Sequence, residues 1–245
     1  MIFDTLITTI EKKGAVYIVL IDPDKEDDNS IINRVENANN SGVDALFVGG
    51  SIMMDINYNS IVKKIKSLSN IPVILFPGGV GQLNKHFDAM LFMSLISGRN
   101  PRFLIEEQVL AAPIVDNMNI ETISTGYILV NGGSNSSVEF MSSTKPIPME
   151  RVEITVAHAL AGQYLGMKLI YLEAGSGAIH PVTTEVIKAV RAAIDLPIIV
   201  GGGIKTPEKA RDAVEAGASI IVTGNILEED DNCVQEFADA IHIQK

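Results

Sequence analysis

The run Pro197-Ile198-Ile199-Val200-Gly201-Gly202-Gly203-Ile204-Lys205-Thr206-Pro207 compresses a strand, a turn and a helix start into one stretch. Ile198, Ile199 and Val200 are β-branched and uninterrupted by polar residues, as in a parallel strand buried on both faces. The glycines supply the turn. Thr206 before Pro207 has the form of an N-cap followed by the first helical position. Ser219-Ile220-Ile221-Val222-Thr223-Gly224-Asn225 repeats the design.

Working outward, apolar runs of the same kind occur at 16–21, 45–48, 72–76, 89–93, 125–130, 168–172, 197–200 and 219–222. Stretches of helical spacing separate most of them; Val182, Val186, Ile187, Val190 and Ile194 share one face of the segment after Pro181. Eight strand–helix units over 245 residues predict a single-domain (β/α)8 TIM barrel spanning 1–245, with its site on the loops after the strands. Asp22, Ser51, Gly78, Asn131, Glu173, Gly202 and Asn225 all fall there. Residues 77–88 leave too little chain for a third crossover helix, so the wall should be thin at that point, giving either a groove for a long apolar ligand or a short loop packed by its neighbours. Residues 131–148, rich in Ser and Gly, read as a loop of lid type.

Composition narrows the function. Hydrophobic residues make up 47%, enough for a large core, yet no run is long enough to span a bilayer. A net charge of -11 opposes nucleic acid and anionic membrane surfaces, so any phosphate must be held locally. The lone Cys233 excludes an internal disulfide, and the first residues lack the pattern of a secretory signal, so a cytoplasmic location is expected.

The stretch Tyr171-Leu172-Glu173-Ala174-Gly175-Ser176-Gly177 brings an acid, a phenol and a glycine-flanked serine to the end of one strand. Such backbone can approach an anion closely. The glycine turns at 201–203 and at Gly224 occupy the last two units, where barrels of this type form phosphate sites. Together they imply a phosphorylated ligand. Across the barrel, Leu20-Ile21-Asp22-Pro23-Asp24-Lys25 and Val48-Gly49-Gly50-Ser51 place a carboxylate and a hydroxyl on neighbouring strand ends. These hard oxygen donors suit Mg²⁺ sharing substrate phosphate oxygens, while a turn capped by Asp22 accounts for the same residues without a metal.

Taken together, Leu-Ile-Asp-Pro-Asp-Lys at 20–25, Val-Gly-Gly-Ser at 48–51, Tyr-Leu-Glu-Ala-Gly-Ser-Gly at 171–177, Gly-Gly-Gly-Ile-Lys at 201–205 and Thr-Gly-Asn at 223–225 resemble the geranylgeranylglyceryl phosphate synthase family, in its second subgroup. The resemblance implies an Mg²⁺-dependent prenyltransferase of archaeal ether-lipid (phospholipid) biosynthesis, which joins geranylgeranyl diphosphate to the C3 hydroxyl of sn-glycerol 1-phosphate. It assigns Asp22 and Ser51 to the metal. Tyr171, Leu172, Glu173, Ala174, Gly175, Ser176, Gly177, Gly202, Gly203, Gly224 and Asn225 fall to glycerol 1-phosphate. Within that set Glu173 is the expected proton acceptor and Tyr171 orients the acceptor. Arg99 and Lys25 are candidate partners of the diphosphate. Family members form dimers and larger assemblies, which implies a homo-oligomer. A heptaprenylglyceryl phosphate synthase, using a longer donor, and a sugar-phosphate isomerase barrel are the alternatives; the latter would carry an acid after strand five, where Asn131 stands.

Overall fold

The computed structural model describes residues 1–25, 27–55, 57–224 and 233–243. Eight parallel strands close into a barrel in sequence order. They are β1 (Val16–Ile21), β2 (Ala45–Val48), β3 (Val73–Leu75), β4 (Ala89–Leu95), β5 (Glu121–Leu129), β6 (Leu169–Glu173), β7 (Ile198–Gly201) and β8 (Ile220–Thr223). Closure is made by β8 against β1, with Val16 opposite Ile220. Around them lie α1 (Ile2–Lys13), α2 (Asp28–Asn40), α3 (Tyr58–Leu68), α4 (Glu107–Met118), α5 (Ser137–Ser142), α6 (Val152–Tyr164), α7 (Thr184–Ala193), α8 (Pro207–Glu215) and α9 (Val234–Ile241).

Side-chain alternation divides the core into two layers. Ile18, Phe47, Ile74, Leu91, Tyr127, Leu169, Tyr171 and Ile199 fill the barrel interior. Ile170, Leu172, Val200 and Ile221 point outward, where they pack with Val186, Ile187 and Val190 of α7 and Ala213 of α8. The predicted cap forms, Thr206 accepting from the Lys209 amide ahead of Pro207, and the structure adds a second at Thr183, which accepts from the Val186 amide. At the N-terminal end of the barrel, α1 acts as a plug. Its Leu6 joins the interior layer, flanked by Ile2, Phe3 and Ile10, and Glu121 at the start of β5 accepts the Ile2 and Phe3 amides.

Two connections depart from the repeat. After β3 the chain makes only a 3₁₀ turn, Val80–Gln82, as the short 77–88 segment predicts. After β5, the expected structureless lid contains a helix, α5, whose N-cap Ser136 accepts from the Glu139 amide at 3.2 Å. The Ser136-x-x-Glu139 spacing of a capping box was present in that loop, hidden by its Ser and Gly content. The loop is also tied at its ends. The Asn131 amide donates to the Ile147 carbonyl, and the Ile179 and His180 amides both donate to that of Gly132.

Candidate active site

Two cavities meet at the C-terminal end of the barrel. The first is polar and lies on the barrel axis, lined by Asp22, Asp24 and Lys25 after β1, Gly49–Ser51 after β2, Tyr171 and Glu173 of β6, Ser176 and Gly177, Gly202–Lys205 after β7, and Thr223 and Gly224 of the β8 end. The second is apolar. It runs down the side where the third crossover helix is missing, between Val80 and Leu83 on one flank and Met90, Phe92, Phe103 and Ala111 on the other. Gly50, Ser51, Phe76, Tyr127 and Val138 line both cavities, so the groove opens into the polar chamber.

Glu173 is the last residue of β6 and, two positions beyond Tyr171, shares its inward face. It is only 7% exposed, so it is a buried acid rather than a solvated strand end. Oε1 accepts the Gly175 amide at 2.7 Å. Burial pushes its carboxyl up from 4.5 to about 7, against the downward pull of the Gly175 amide and the Tyr171 hydroxyl. The room around it comes from two glycines of the next strand end. A Cβ on Gly201 would lie 2.4 Å from the Tyr171 hydroxyl, and one on Gly202 would lie 2.4 Å from Glu173 Oε1. Gly202 also has φ +80°, which L side chains avoid.

Beneath these polar groups lies an aromatic floor. The Phe76 ring stacks on Tyr171 at 5.4 Å and on Phe47 at 5.7 Å, and Tyr127 tilts against Tyr171 at 5.2 Å. Tyr127 and Tyr171 are register partners on β5 and β6, and burial raises both phenols well above their ordinary range, with the Glu173 charge adding to it. Both therefore stay protonated, as hydrogen-bond donors.

Opposite, Asp22 faces the polar cavity with its side chain 17% exposed and Lys25 Nζ 3.6 Å away. Desolvation raises its carboxyl, partly offset by the Lys25 charge. Gly50 lets the β2 loop pass close to it, since a Cβ there would lie 2.6 Å from Asp22 Oδ1. Asp24 steadies the same loop by accepting the Met54 and Asp55 amides at 2.6 and 3.0 Å. Among the described residues, no group of three or more His, Cys, Asp or Glu side chains could hold a metal. Asp22 and Ser51 both line the polar cavity, oxygen donors of the type that Mg²⁺ takes when it keeps waters and substrate oxygens, and not the set that an ion needing a closed protein cage requires.

The structure sorts the remaining expected site residues. Tyr171, Glu173, Ser176, Gly177, Gly202, Gly203, Gly224, Lys25, Asp22 and Ser51 converge on the polar cavity. Leu172 and Ala174 instead point into the outer apolar layer, and Gly175 serves the site through its amide to Glu173. Asn225 lies outside the described residues. Arg99 lines neither cavity: it donates to the Gly98 carbonyl at 2.7 Å and stands 3.3 Å from His158, so the diphosphate role expected of it has no geometric support. Missing from the sequence expectations were Phe76, Tyr127, Val138 and Lys205. The first two read as plain core strand residues, whereas Lys205 stood inside a motif already singled out.

A family model described as the PcrB family matches residues 7–242. Geranylgeranylglyceryl phosphate synthase of Chitinophaga pinensis is 42% identical over 241 residues, covering 98% of this chain and 96% of the relative. The Thermococcus gammatolerans protein of that name is 48% identical over 219 residues, covering 89% and 86%. Among solved structures, (S)-3-O-geranylgeranylglyceryl phosphate synthase from Thermoplasma acidophilum, in complex with substrate sn-glycerol-1-phosphate, superposes with a TM-score of 0.94 at 32% identity, covering 99% of this chain and 98% of that one. The relatives include bacterial as well as archaeal proteins, so the expectation of an archaeal source is not carried by the match.

Proposed function

This chain belongs to the PcrB family and is a prenyltransferase, and on that premise we propose that it alkylates the C3 hydroxyl of sn-glycerol 1-phosphate with geranylgeranyl diphosphate. The observation that carries the reading is the junction of the two cavities: a buried Glu173, its carboxyl raised to about 7, beside glycine-rich loops in a polar chamber that opens directly into an apolar groove.

On this reading the acceptor phosphate rests against Ser176–Gly177, Gly202–Gly203 and Gly224, with the Lys205 ammonium beside it at the start of α8, whose N-terminus favours an anion. The donor diphosphate lies near Asp22, Ser51 and Lys25, and its chain descends the groove past Val80, Leu83 and Phe103. Mg²⁺ held by Asp22 and Ser51 would neutralise the leaving diphosphate. As the allylic C–O bond breaks, the aromatic floor of Phe76, Tyr127 and Tyr171 borders the carbon that becomes cationic. The acceptor hydroxyl oxygen forms the new ether bond to that carbon and its proton passes to a Glu173 carboxylate oxygen, leaving diphosphate as the second product. A pKa of about 7 suits this step, because a base is most effective when poised near the working pH.

The test is an incubation of the purified chain with sn-glycerol 1-phosphate, Mg²⁺ and a ladder of prenyl diphosphates, with mass analysis of the ether. A geranylgeranyl ether is expected. Preference for a seven-unit donor would reassign the chain to heptaprenyl transfer, and no ether from any donor would overturn the reading. Asp22→Asn should raise the Mg²⁺ concentration needed for half-maximal rate, and an unchanged metal titration would remove Asp22 from the metal site.

A further inference from the structure

The segment that stands in for the third crossover helix does more than leave a gap. Gln82, at the end of its 3₁₀ turn, is 3% exposed and lines neither cavity. Its carboxamide nevertheless reaches both turns that border the proposed donor pocket. Nε2 donates to the Gly50 carbonyl at 2.6 Å, and Oε1 accepts the Gly78 amide at 3.0 Å.

Those two turns touch backbone to backbone. A Cβ on Gly78 would lie 2.2 Å from the Gly50 carbonyl oxygen, and one on Gly49, at φ +152°, would lie 2.0 Å from that of Phe76. With glycine at all three places, none of these residues has a side chain of its own to fix one turn against the other. One turn offers an acceptor and the other a donor, and the Gln82 carboxamide, which carries both functions, satisfies the pair. The turn that carries Gln82 is also a wall of the apolar groove, through Val80 and Leu83, and the Val80 amide ties it to Glu107 of α4 at 3.3 Å.

We propose that Gln82 is a positioning residue for the donor: it locks the Gly49–Ser51 turn to the Gly78 turn, holding in place the Ser51 end of a chamber that Asp22 also lines and linking the diphosphate end of the pocket to the wall of the prenyl groove. The inference rests on the prenyl-transfer reading. It implies that removing the carboxamide harms use of the donor while sparing the acceptor, whose loops after β6, β7 and β8 lie across the barrel.

The experiment compares wild type, Gln82→Leu and Gln82→Glu. Leu removes both hydrogen bonds. Glu keeps the shape and the acceptor for Gly78 but sets a carboxylate oxygen against the Gly50 carbonyl. In both variants kcat/KM for geranylgeranyl diphosphate should fall at least about tenfold, because the Gly50 carbonyl loses its donor in a buried place. The Mg²⁺ concentration for half-maximal rate should rise, and calorimetric Kd for sn-glycerol 1-phosphate should stay within about twofold of wild type. Unchanged donor kcat/KM in the variants overturns the inference, as does a parallel loss of acceptor affinity, which would make Gln82 a general structural residue. Should the Leu variant not fold, the isosteric Glu variant decides. A wild-type protein that makes no ether fails the prenyl-transfer reading itself, and is recognised before any variant is compared.

Discussion

In the proposed reaction, Glu173 is the residue whose role is tested most directly. Its carboxyl, held near pH 7 by burial, should give the rate of prenyl transfer a limb that rises as pH passes through about 7 and the base loses its proton. Glu173→Gln should remove that limb and slow turnover by about 100- to 10,000-fold, the usual contribution of a positioned base. Binding of sn-glycerol 1-phosphate, measured by calorimetry, should survive, and wild-type turnover in this variant would rule out the base. Gly202 is the companion test. Its added methyl would meet Glu173 Oε1 at 2.4 Å, at a backbone angle that L residues avoid, so Gly202→Ala should cost more in turnover than in melting temperature. The Tyr171–Gly177 motif was legible in the sequence as a place of chemistry. That Glu173 is buried was not, because burial depends on Gly201 and Gly202 of a neighbouring strand.

At the scale of elements, α5 and the 3₁₀ turn after β3 decide how the barrel is used. The absence of a third crossover helix could be read from chain length alone, since residues 77–88 cannot supply one. The helix within 131–148 was hidden among Ser and Gly, although Ser136 and Glu139 had the spacing of a capping box. It matters because Val138 borders both cavities, and Met141 and Ser142 roof the groove. Val138→Asp would place a charge on an apolar wall, and the KM for the prenyl donor should rise on the order of tenfold, with that for the acceptor less affected. An equal rise for both substrates in steady-state assays would deny α5 this place. At the opposite end, Glu121→Ala leaves the Ile2 and Phe3 amides without their acceptor; thermal unfolding should show a loss of roughly 1–3 kcal/mol, with catalysis intact.

At the scale of the molecule, the site takes its buried carboxylate at a cost in stability that depends on pH. The Glu173 carboxyl is near 7 folded and 4.5 otherwise. Below 4.5 it is protonated in both states, and between the two values only the folded chain holds the proton. Stability therefore falls as pH rises through this window, by about 3 kcal/mol in all. Glu173→Gln should melt progressively higher than wild type between pH 5 and pH 8, and a pH-independent difference in melting temperature would refute this. Asp44, far from the site, works the other way. Burial raises its carboxyl, yet hydrogen bonds from His242, Lys13 and the Tyr17 amide bring it below the ordinary value, so its contribution is present above that range and lost as pH falls. The sequence by itself determined the barrel, its order of strands and the motifs at their C-terminal ends, because buried parallel strands and capped helices leave periodic local signals. Only the tertiary structure decided that Phe76 and Tyr127 floor the chamber, that Arg99 stands outside it and that Gln82 joins two turns. Those facts depend on closing the sheet, which brings side chains distant in sequence within bonding range, and no local pattern records such distances.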